Sequence, residues 1–134
     1  MSICRLNLPD VDTQFFKCYI ITMAKVQGNL IDVINYRNER VIFTHAKHQE
    51  KMMQHPELNN KIFLENLEET IKNPGEVWED YDDKEHRRCY YRKYSKNSYV
   101  KAVIWCTGNP YRVVTAFEIN WIKETKYPGL KQLK

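Results

Sequence analysis

Three of the four histidines of this chain fall in one short segment, VIFTHAKHQEKMMQHPEL, at residues 41–58. Imidazole titrates near neutral pH, so these side chains can accept and donate protons in catalysis. At about 100° per residue, His45, His48 and His55 fall with Met52 on one stripe of a helix. The types and spacing therefore predict a helix face suited to general acid–base chemistry.

A metal site is the competing interpretation of these histidines. With a rise of about 1.5 Å per residue, His45 and His55 lie about 15 Å apart along a helix, too far to share an ion. His45 and His48 are close enough, but no carboxylate or cysteine obviously completes their ligand set. We therefore expect no metal and no other cofactor. For each histidine alone, a structural or merely exposed role is the alternative.

A second feature is a basic, tyrosine-rich stretch at residues 86–101 that contains no acid. It follows an acidic stretch at residues 76–85, with six acids and one lysine. Cations suit a phosphate backbone, and aromatic rings suit unpaired bases. The candidate RNA-binding residues are Arg88, Arg92, Tyr91 and Tyr94. Taken alone, the stretch is equally consistent with a solvated strand face. Trp105 would be a stacking platform if it faces out with Lys101.

Length and composition limit the classes to which this protein can belong. The chain has 134 residues, 43% of them hydrophobic and 13% aromatic, with a net charge of +4. These values predict a single globular domain without a membrane-spanning segment, and the first residues lack the apolar core of a signal peptide. No CxxC pair occurs, so we expect reduced thiols and a cytoplasmic protein. The cysteines are Cys4, Cys18, Cys89 and Cys106.

The first part of the chain reads as a β-meander followed by the histidine helix. Residues 15–24 are rich in aromatic and β-branched side chains, which predicts a first strand. A polar turn at residues 35–40 separates strand-like segments at 30–34 and 41–43. Thr44 is the expected N-cap of the helix, and Pro56 should end it at His55.

A second helix and a group of strands complete the predicted fold. Residues 62–73 have apolar side chains at helical spacing, with Asn60 as candidate cap and Asn73-Pro74-Gly75 as the stop. Strands are expected at 77–78, 88–94, 99–106 and 112–119. Their short connections favour an antiparallel sheet of about four to five strands. We therefore predict an α+β domain with both helices on one face of the sheet.

The alternation of side chains assigns two polar residues to the predicted sheet. On residues 99–106, Lys101 lies on the face opposite to Val100 and Ala102. On residues 112–119, Thr115 shares its face with Val113 and Phe117. The simplest reading makes Lys101 an exposed residue and Thr115 a buried one bonded to a backbone carbonyl.

The order of several short motifs resembles a known family. FTHA, HPEL, ETIKNPGEVW, YYRKY, YVKAVIW and RVVTAF follow one another as in the barnase/EndoU/colicin/RelE-like (BECR) ribonucleases, in particular their phage- and toxin-associated branches. The resemblance covers roughly residues 26–122. It implies an N-terminal arm at 1–14, a nuclease core at 15–125 and a basic tail at 126–134. It also implies metal-independent cleavage of RNA by attack of the 2′-OH.

The resemblance further implies a site. Such enzymes use a histidine from the helical part, basic residues on the sheet and a hydroxyl late in the last strand. By position the candidates are His55 in HPE, His45 in THA, Lys101 and Thr115. Many relatives instead have a histidine near the positions of residues 50 and 51, and His48 is the candidate if the helix is shifted.

Three classes of function remain open at this point. The first is a toxin-type endoribonuclease acting on tRNA, mRNA or rRNA, with a cognate antitoxin or immunity protein as a partner. The second is a non-catalytic RNA-binding module on the same fold. The third is an antitoxin or immunity-type interaction protein that uses the acidic stretch 76–85. Net basic charge argues against the third, because such a protein would have to cover a basic nuclease.

Overall fold

A computed structural model of the protein describes residues 28–134. The predicted first strand at 15–24 and the arm at 1–14 lie outside the described residues. The elements are β1 (Asn29–Ile34), β2 (Arg40–Thr44), α1 (His45–Met52), a first 3-10 helix (Pro56–Asn59), α2 (Lys61–Lys72), β3 (Glu76–Glu79), β4 (Arg87–Ser95), β5 (Ser98–Trp105), β6 (Tyr111–Ile119) and a second 3-10 helix (Lys123–Lys126).

All strands of the described part of the chain form one six-stranded sheet in the order β1-β2-β6-β5-β4-β3. The α+β class is as predicted, but the sheet is larger than expected and is mixed, because β2 and β6 pair in parallel. Short hairpins force antiparallel pairing only between the strands they join. The long connection from β2 to β6 contains both helices and three strands, so local spacing could not reveal that parallel contact.

The histidine helix begins where the sequence predicts and ends earlier than its histidine pattern requires. The Thr44 hydroxyl accepts a hydrogen bond from the Lys47 N–H at 3.1 Å, so it is the N-cap. Helix α1 ends at Met52, with Met53 as its C-cap. His55 lies beyond it with non-helical backbone angles, φ −133° and ψ 85°, and helical angles are disfavoured for the residue before a proline. The prediction that His55 shares a helix stripe with His45 and His48 is therefore wrong.

Helix α2 provides most of the helical contribution to the core. Its N-cap is Asn60, whose side chain accepts hydrogen bonds from the N–H groups of Ile62 and Phe63 at 2.8 and 3.1 Å. The buried residues of the helix are Phe63, Leu67, Thr70 and Ile71. They pack on one face of the sheet, here called the helix face, with Val100, Ala102 and Ile104 of β5.

The opposite face of the sheet, here called the second face, carries most of the polar chemistry. Paired residues on β4, β5 and β6 form four rows across it. The rows are Arg87–Trp105–Arg112, Cys89–Val103–Thr115, Tyr91–Lys101–Phe117 and Lys93–Tyr99–Ile119. Lys101 therefore lies opposite to Val100 and Ala102, as the alternation of side chains predicted.

A β-bulge in β6 makes its side chains alternate differently from the prediction. Val103 pairs with Thr115 and Ile104 pairs with Val113, so Val114 is an extra residue on β6. A bulge of this kind shifts the direction of the following side chains. Val113 and Ala116 are consequently both buried on the helix face, and Thr115 no longer shares a face with Val113.

The C-terminal residues pack along the edge strand β3. Backbone N–H groups of Glu79 and Leu133 donate to the carbonyls of Lys131 and Val77 at 3.0 and 2.6 Å. Gln132 forms an isolated bridge with Trp78. The basic tail thus covers the N–H and C=O groups of an edge that would otherwise be exposed. Within residues 28–134, no helix is both long enough and apolar enough to cross a membrane.

Candidate active site

A cavity of about 390 Å³ opens on the second face of the sheet, and we call it the sheet pocket. The lining residues used below are Asp80, Arg87, Lys101, Thr115, Phe117 and Glu124. They come from the loop after β3, from the three central strands and from the second 3-10 helix. The pocket therefore depends on segments that are far apart in the sequence.

Lys101 is the most buried cation of the pocket, with 3% of its surface exposed, so the reading of Lys101 as an exposed strand residue is wrong. Its Nζ lies 3.1 Å from Oε2 of Glu124, and it also lies over the rings of Tyr91 and Phe117 at 5.4 and 5.8 Å. An ammonium group has three N–H donors. The bond to Glu124 uses one of them, so Lys101 retains donors for another oxygen.

Glu124 holds Lys101 from the second 3-10 helix and is itself only 1% exposed. Its other carboxylate oxygen accepts a hydrogen bond from the Tyr91 hydroxyl. Burial opposes ionisation of Glu124, but the hydrogen bond from Tyr91 and the charge of Lys101 outweigh it and lower its pKa. Burial, the hydrogen bond to Glu124 and the charge of that carboxylate raise the pKa of Tyr91. The pocket thus contains an ionised carboxylate paired with an ammonium group.

Three further polar atoms of pocket residues have no hydrogen-bond partner among the described residues. They are Oγ1 of Thr115, Nε of Arg87 and Oδ2 of Asp80, all inaccessible to solvent. The last of them is ion-paired, since the NH2 group of Arg87 lies 2.9 Å from it. The expected bond from Thr115 to a backbone carbonyl is not formed within residues 28–134. Unsatisfied buried polar atoms are uncommon, and they are found where a ligand or water completes the site.

His55 is the helix-region histidine that contacts a lining residue of the sheet pocket, Phe117. Its ring stacks on Phe117 with centroids 4.7 Å apart and an interplanar angle of 18°. It reaches the second face because β2 pairs with β6 only as far as Arg112, which leaves the rest of that edge to α1 and the first 3-10 helix. Glu57 of this 3-10 helix accepts the Glu118 N–H at 2.9 Å and so anchors the segment there.

The other two helix histidines have different surroundings. Nε2 of His48 lies 2.7 Å from the carbonyl oxygen of Leu58, and its ring meets Phe43 edge-on. This contact ties α1 to the first 3-10 helix. His45 begins α1, where its backbone N–H donates to the Gly28 carbonyl at 3.1 Å. None of the three helix-region histidines is among the lining residues of the sheet pocket, and the stack on Phe117 distinguishes His55 from the other two.

The four candidate RNA-binding residues do not form one surface. Register places Arg88, Arg92 and Tyr94 on the helix face, where Arg92 donates to the Asn73 carbonyl at 2.7 Å and Tyr94 packs against Phe63. Tyr91 lies on the second face and is 1% exposed. Their alternation along one strand separates them between two faces of the sheet.

Three potential metal ligands come together at the floor of the pocket. One donor atom from each of Asp80, Cys89 and Glu124 lies within 4.8 Å of the others, and all three residues are buried. The Cys89 thiol donates to Oδ1 of Asp80 at 3.3 Å, and burial raises the pKa of this thiol. Metal binding requires the thiolate, so an ion at this cluster would have to displace the thiol proton.

Sequence reasoning missed several residues of the pocket. Glu124 had no local signal, since its partner Lys101 is 23 residues away. Phe117 was interpreted only as an alternating apolar residue. Asp80 and Arg87 were counted within an acidic and a basic stretch, whereas their ion pair links the two stretches. The signal that would have found this pair is an acid and a base that lie near the ends of two neighbouring predicted strands.

The comparisons with known proteins agree with this architecture. The family model of the phage-Barnase-EndoU-ColicinE5/D-RelE like nuclease2 group matches residues 26–132. The chain therefore belongs to this nuclease family, and the resemblance inferred from its short motifs is confirmed. Membership indicates a nuclease in general, with a nucleic acid as its substrate. No curated protein and no solved structure gives a significant match.

Proposed function

We propose that this protein is an endoribonuclease that cleaves RNA without a metal ion, by attack of the 2′-OH on the adjacent phosphate. The observation that carries the proposal is the stack of His55 on Phe117, which places an imidazole against a lining residue of the pocket that contains Lys101 and Thr115. The pocket itself supplies a cation and a hydroxyl without a described partner, and the proton-transfer group lies beside it. Proton transfer and stabilisation of charge on the phosphate are both contributions that cleavage by a 2′-OH draws on.

The proposed reaction forms one P–O bond and breaks another. The 2′-oxygen attacks phosphorus and loses its proton, the bond to the 5′-oxygen breaks, and that oxygen takes up a proton. The products are a 2′,3′-cyclic phosphate and a 5′-hydroxyl end. In this scheme His55 exchanges a proton with one of the two reacting oxygens, because imidazole titrates near the working pH.

Lys101 and Thr115 act on the phosphate in this proposal. Charge on the non-bridging oxygens grows in the transition state, and a fixed cation in a water-poor pocket stabilises that charge strongly. Lys101 is held in place by Glu124, and its remaining donors are available for a phosphate oxygen. The buried Thr115 hydroxyl, which has no described partner, would donate to a second oxygen.

The same proposal includes the biological setting. The substrate class is tRNA, mRNA or rRNA, the activity is that of a toxin, and a cognate antitoxin or immunity protein is the expected partner. A cytoplasmic location is consistent with the free thiols of Cys89 and Cys106. A non-catalytic RNA-binding module is the alternative, and the experiment below separates the two.

The decisive experiment incubates the purified protein with total RNA in excess EDTA. We expect fragments ending in 2′,3′-cyclic phosphate, and no cleavage of a DNA strand of matching sequence, since DNA lacks the 2′-OH. His55→Ala should lower the rate by about 10²- to 10⁴-fold, the usual contribution of a general acid or base. Intact RNA with the wild-type protein would refute the enzyme proposal.

The matched control is Gln54→Ala, an exposed change in the same short segment, which should leave the rate unchanged. His48→Ala and His45→Ala complete the set of single variants. If either of them abolishes cleavage by a fully folded protein while His55→Ala retains it, the assignment of the catalytic histidine to His55 is wrong.

A further inference from the structure

One exposed tryptophan on the second face has surroundings that the proposed cleavage site does not use. Trp105 ends β5, and 36% of its surface is exposed. Six of the seven residues before it on that strand are buried, all but Tyr99. Trp105 therefore presents an exposed aromatic surface at the end of a mostly buried strand.

The ring of Trp105 is held in a fixed orientation by His86. The two rings stack with centroids 5.0 Å apart and an interplanar angle of 12°. His86 is in turn fixed by Asp83, which accepts hydrogen bonds from its Nδ1 and its backbone N–H at 3.0 and 3.1 Å. Burial opposes ionisation of Asp83, but these hydrogen bonds outweigh it and lower its pKa. An anchored aromatic ring loses little conformational freedom when it binds a planar ligand.

One cation beside Trp105 is available to a polyanionic ligand. Register places Arg87 and Arg112 on either side of it in the same row of the second face. Arg87 is paired with Asp80, whereas Arg112 is exposed and forms no ion pair with any described residue, so its guanidinium is available for a phosphate. An aromatic ring beside a free cation is suited to single-stranded nucleic acid, through base stacking and a backbone contact.

Distance separates this position from the proposed cleavage site. Trp105 lies four residues from Lys101 along β5, which corresponds to about 13 Å at the rise of a strand. A hydrogen bond spans only about 3 Å, so one phosphate cannot contact both positions. The ligand at Trp105 therefore belongs to a neighbouring nucleotide of the same strand.

We propose that Trp105, oriented by His86 and Asp83, forms a subsite that stacks one unpaired base of the nucleic acid next to the nucleotide being cleaved. This inference rests on the proposed function, which identifies the sheet pocket as the site of the phosphate that is cleaved. Its ligand class is an unpaired nucleobase attached to a phosphate backbone, and Arg112 contacts that backbone.

The test measures binding and needs no cleavage. The probe is a fluorescein-labelled 2′-O-methyl oligonucleotide of about ten nucleotides, which cannot undergo attack by a 2′-OH, in EDTA at one fixed salt concentration. Trp105→Leu should weaken binding by about 5- to 150-fold, the range for one stacked base. Trp121→Leu, which removes another exposed tryptophan outside this row, should leave the affinity within about twofold.

A matching oligonucleotide backbone without bases tests the contact itself. Wild-type protein and Trp105→Leu should bind this abasic probe equally. Trp105→Phe, which keeps an aromatic ring and guards against misfolding of the leucine variant, should retain most of the affinity for the base-containing probe.

The inference is overturned if Trp105→Leu binds the base-containing probe as tightly as the wild type does. That result would indicate that the exposed ring contacts another protein. An equal loss on the abasic probe would also overturn it. Binding through Trp105 by a protein that does not cleave RNA would refute the proposed function and leave the subsite intact, so the two failures are distinguishable.

Discussion

At the scale of single residues, the buried pair of Lys101 and Glu124 governs the pocket. A buried ion pair whose partner is removed leaves an uncompensated charge, which usually costs more than the pair itself contributes. Tyr91 adds a hydrogen bond to the same carboxylate. The network therefore acts on stability as well as on the position of the cation.

The first prediction concerns Glu124→Gln. Because the pKa of Glu124 is lower in the folded chain, the folded state binds fewer protons than the unfolded state. The stabilisation is complete above the unfolded pKa of about 4.3 and is lost as the pH falls through the folded value. We expect the variant to lose about 3–5 kcal/mol in free energy of unfolding at neutral pH.

Urea denaturation at a series of pH values measures this difference, which should shrink towards acid pH. The exposed Glu65→Gln is the matched control and should change the free energy of unfolding by less than about 0.5 kcal/mol. A Lys101→Met/Glu124→Leu double variant should recover the stability, since apolar replacement of a buried pair is often neutral. A difference that stays constant across the acid range would contradict the assignment.

The second prediction concerns His48→Ala. Its ring bonds the Leu58 carbonyl at 2.7 Å, so its removal leaves a partly buried acceptor without a partner. We expect a loss of about 1–3 kcal/mol in free energy of unfolding, with RNA cleavage retained where the protein is folded. Gln49→Ala, an exposed change on the same helix, should have almost no effect on unfolding. Unchanged stability in His48→Ala would show that this contact is not structural.

At the scale of elements, helix α2 is the element that the local sequence predicted most completely. Its apolar residues recur at helical spacing, its first residue follows an asparagine cap, and its end coincides with Asn73-Pro74-Gly75. Helix α1 was only half predictable: Thr44 marks its start, but the histidine stripe suggested one turn too many. The proline rule at His55 was the better guide, because it reflects a steric clash and not a pattern of side-chain types.

The third prediction belongs to α2. Asn60→Ala removes the acceptor of two helix N–H groups and should cost about 1 kcal/mol, whereas Asn60→Asp keeps the acceptor and should be nearly neutral. Thermal unfolding followed by far-UV circular dichroism measures both. Equal stability of the alanine and aspartate variants would mean that water satisfies these groups as well as the cap does.

At the scale of the whole molecule, the C-terminal tail protects one edge of the sheet. The tail pairs with β3, so this edge does not present a free row of backbone groups. Across the middle of the sheet, the second face collects the sheet pocket and the Trp105 row. The proposed catalytic residues thus depend on the correct stacking of three neighbouring strands.

The fourth prediction tests the tail. Deletion of residues 131–134 removes the backbone hydrogen bonds that join Lys131, Leu133 and Lys134 to β3. Each lost bond should cost about 1 kcal/mol, and the exposed edge should promote aggregation. Urea denaturation and light scattering measure the two effects. The Gln132→Ala side-chain variant is the control, and a truncated protein as stable as the full chain would contradict this role of the tail.

The sequence by itself determined the α+β class, the helix starts at Thr44 and Asn60, the face of Lys101 and the family, because each depends on neighbours within a few residues. Only the tertiary structure decided which histidine contacts a lining residue of the pocket, that Glu124 pairs with Lys101, and that Arg88, Arg92 and Tyr94 lie on the helix face. These outcomes depend on the parallel β2–β6 pairing and on the bulge at Val114, which bring together segments that are far apart along the chain. Side-chain spacing reports local geometry, whereas a pocket is formed by long-range packing.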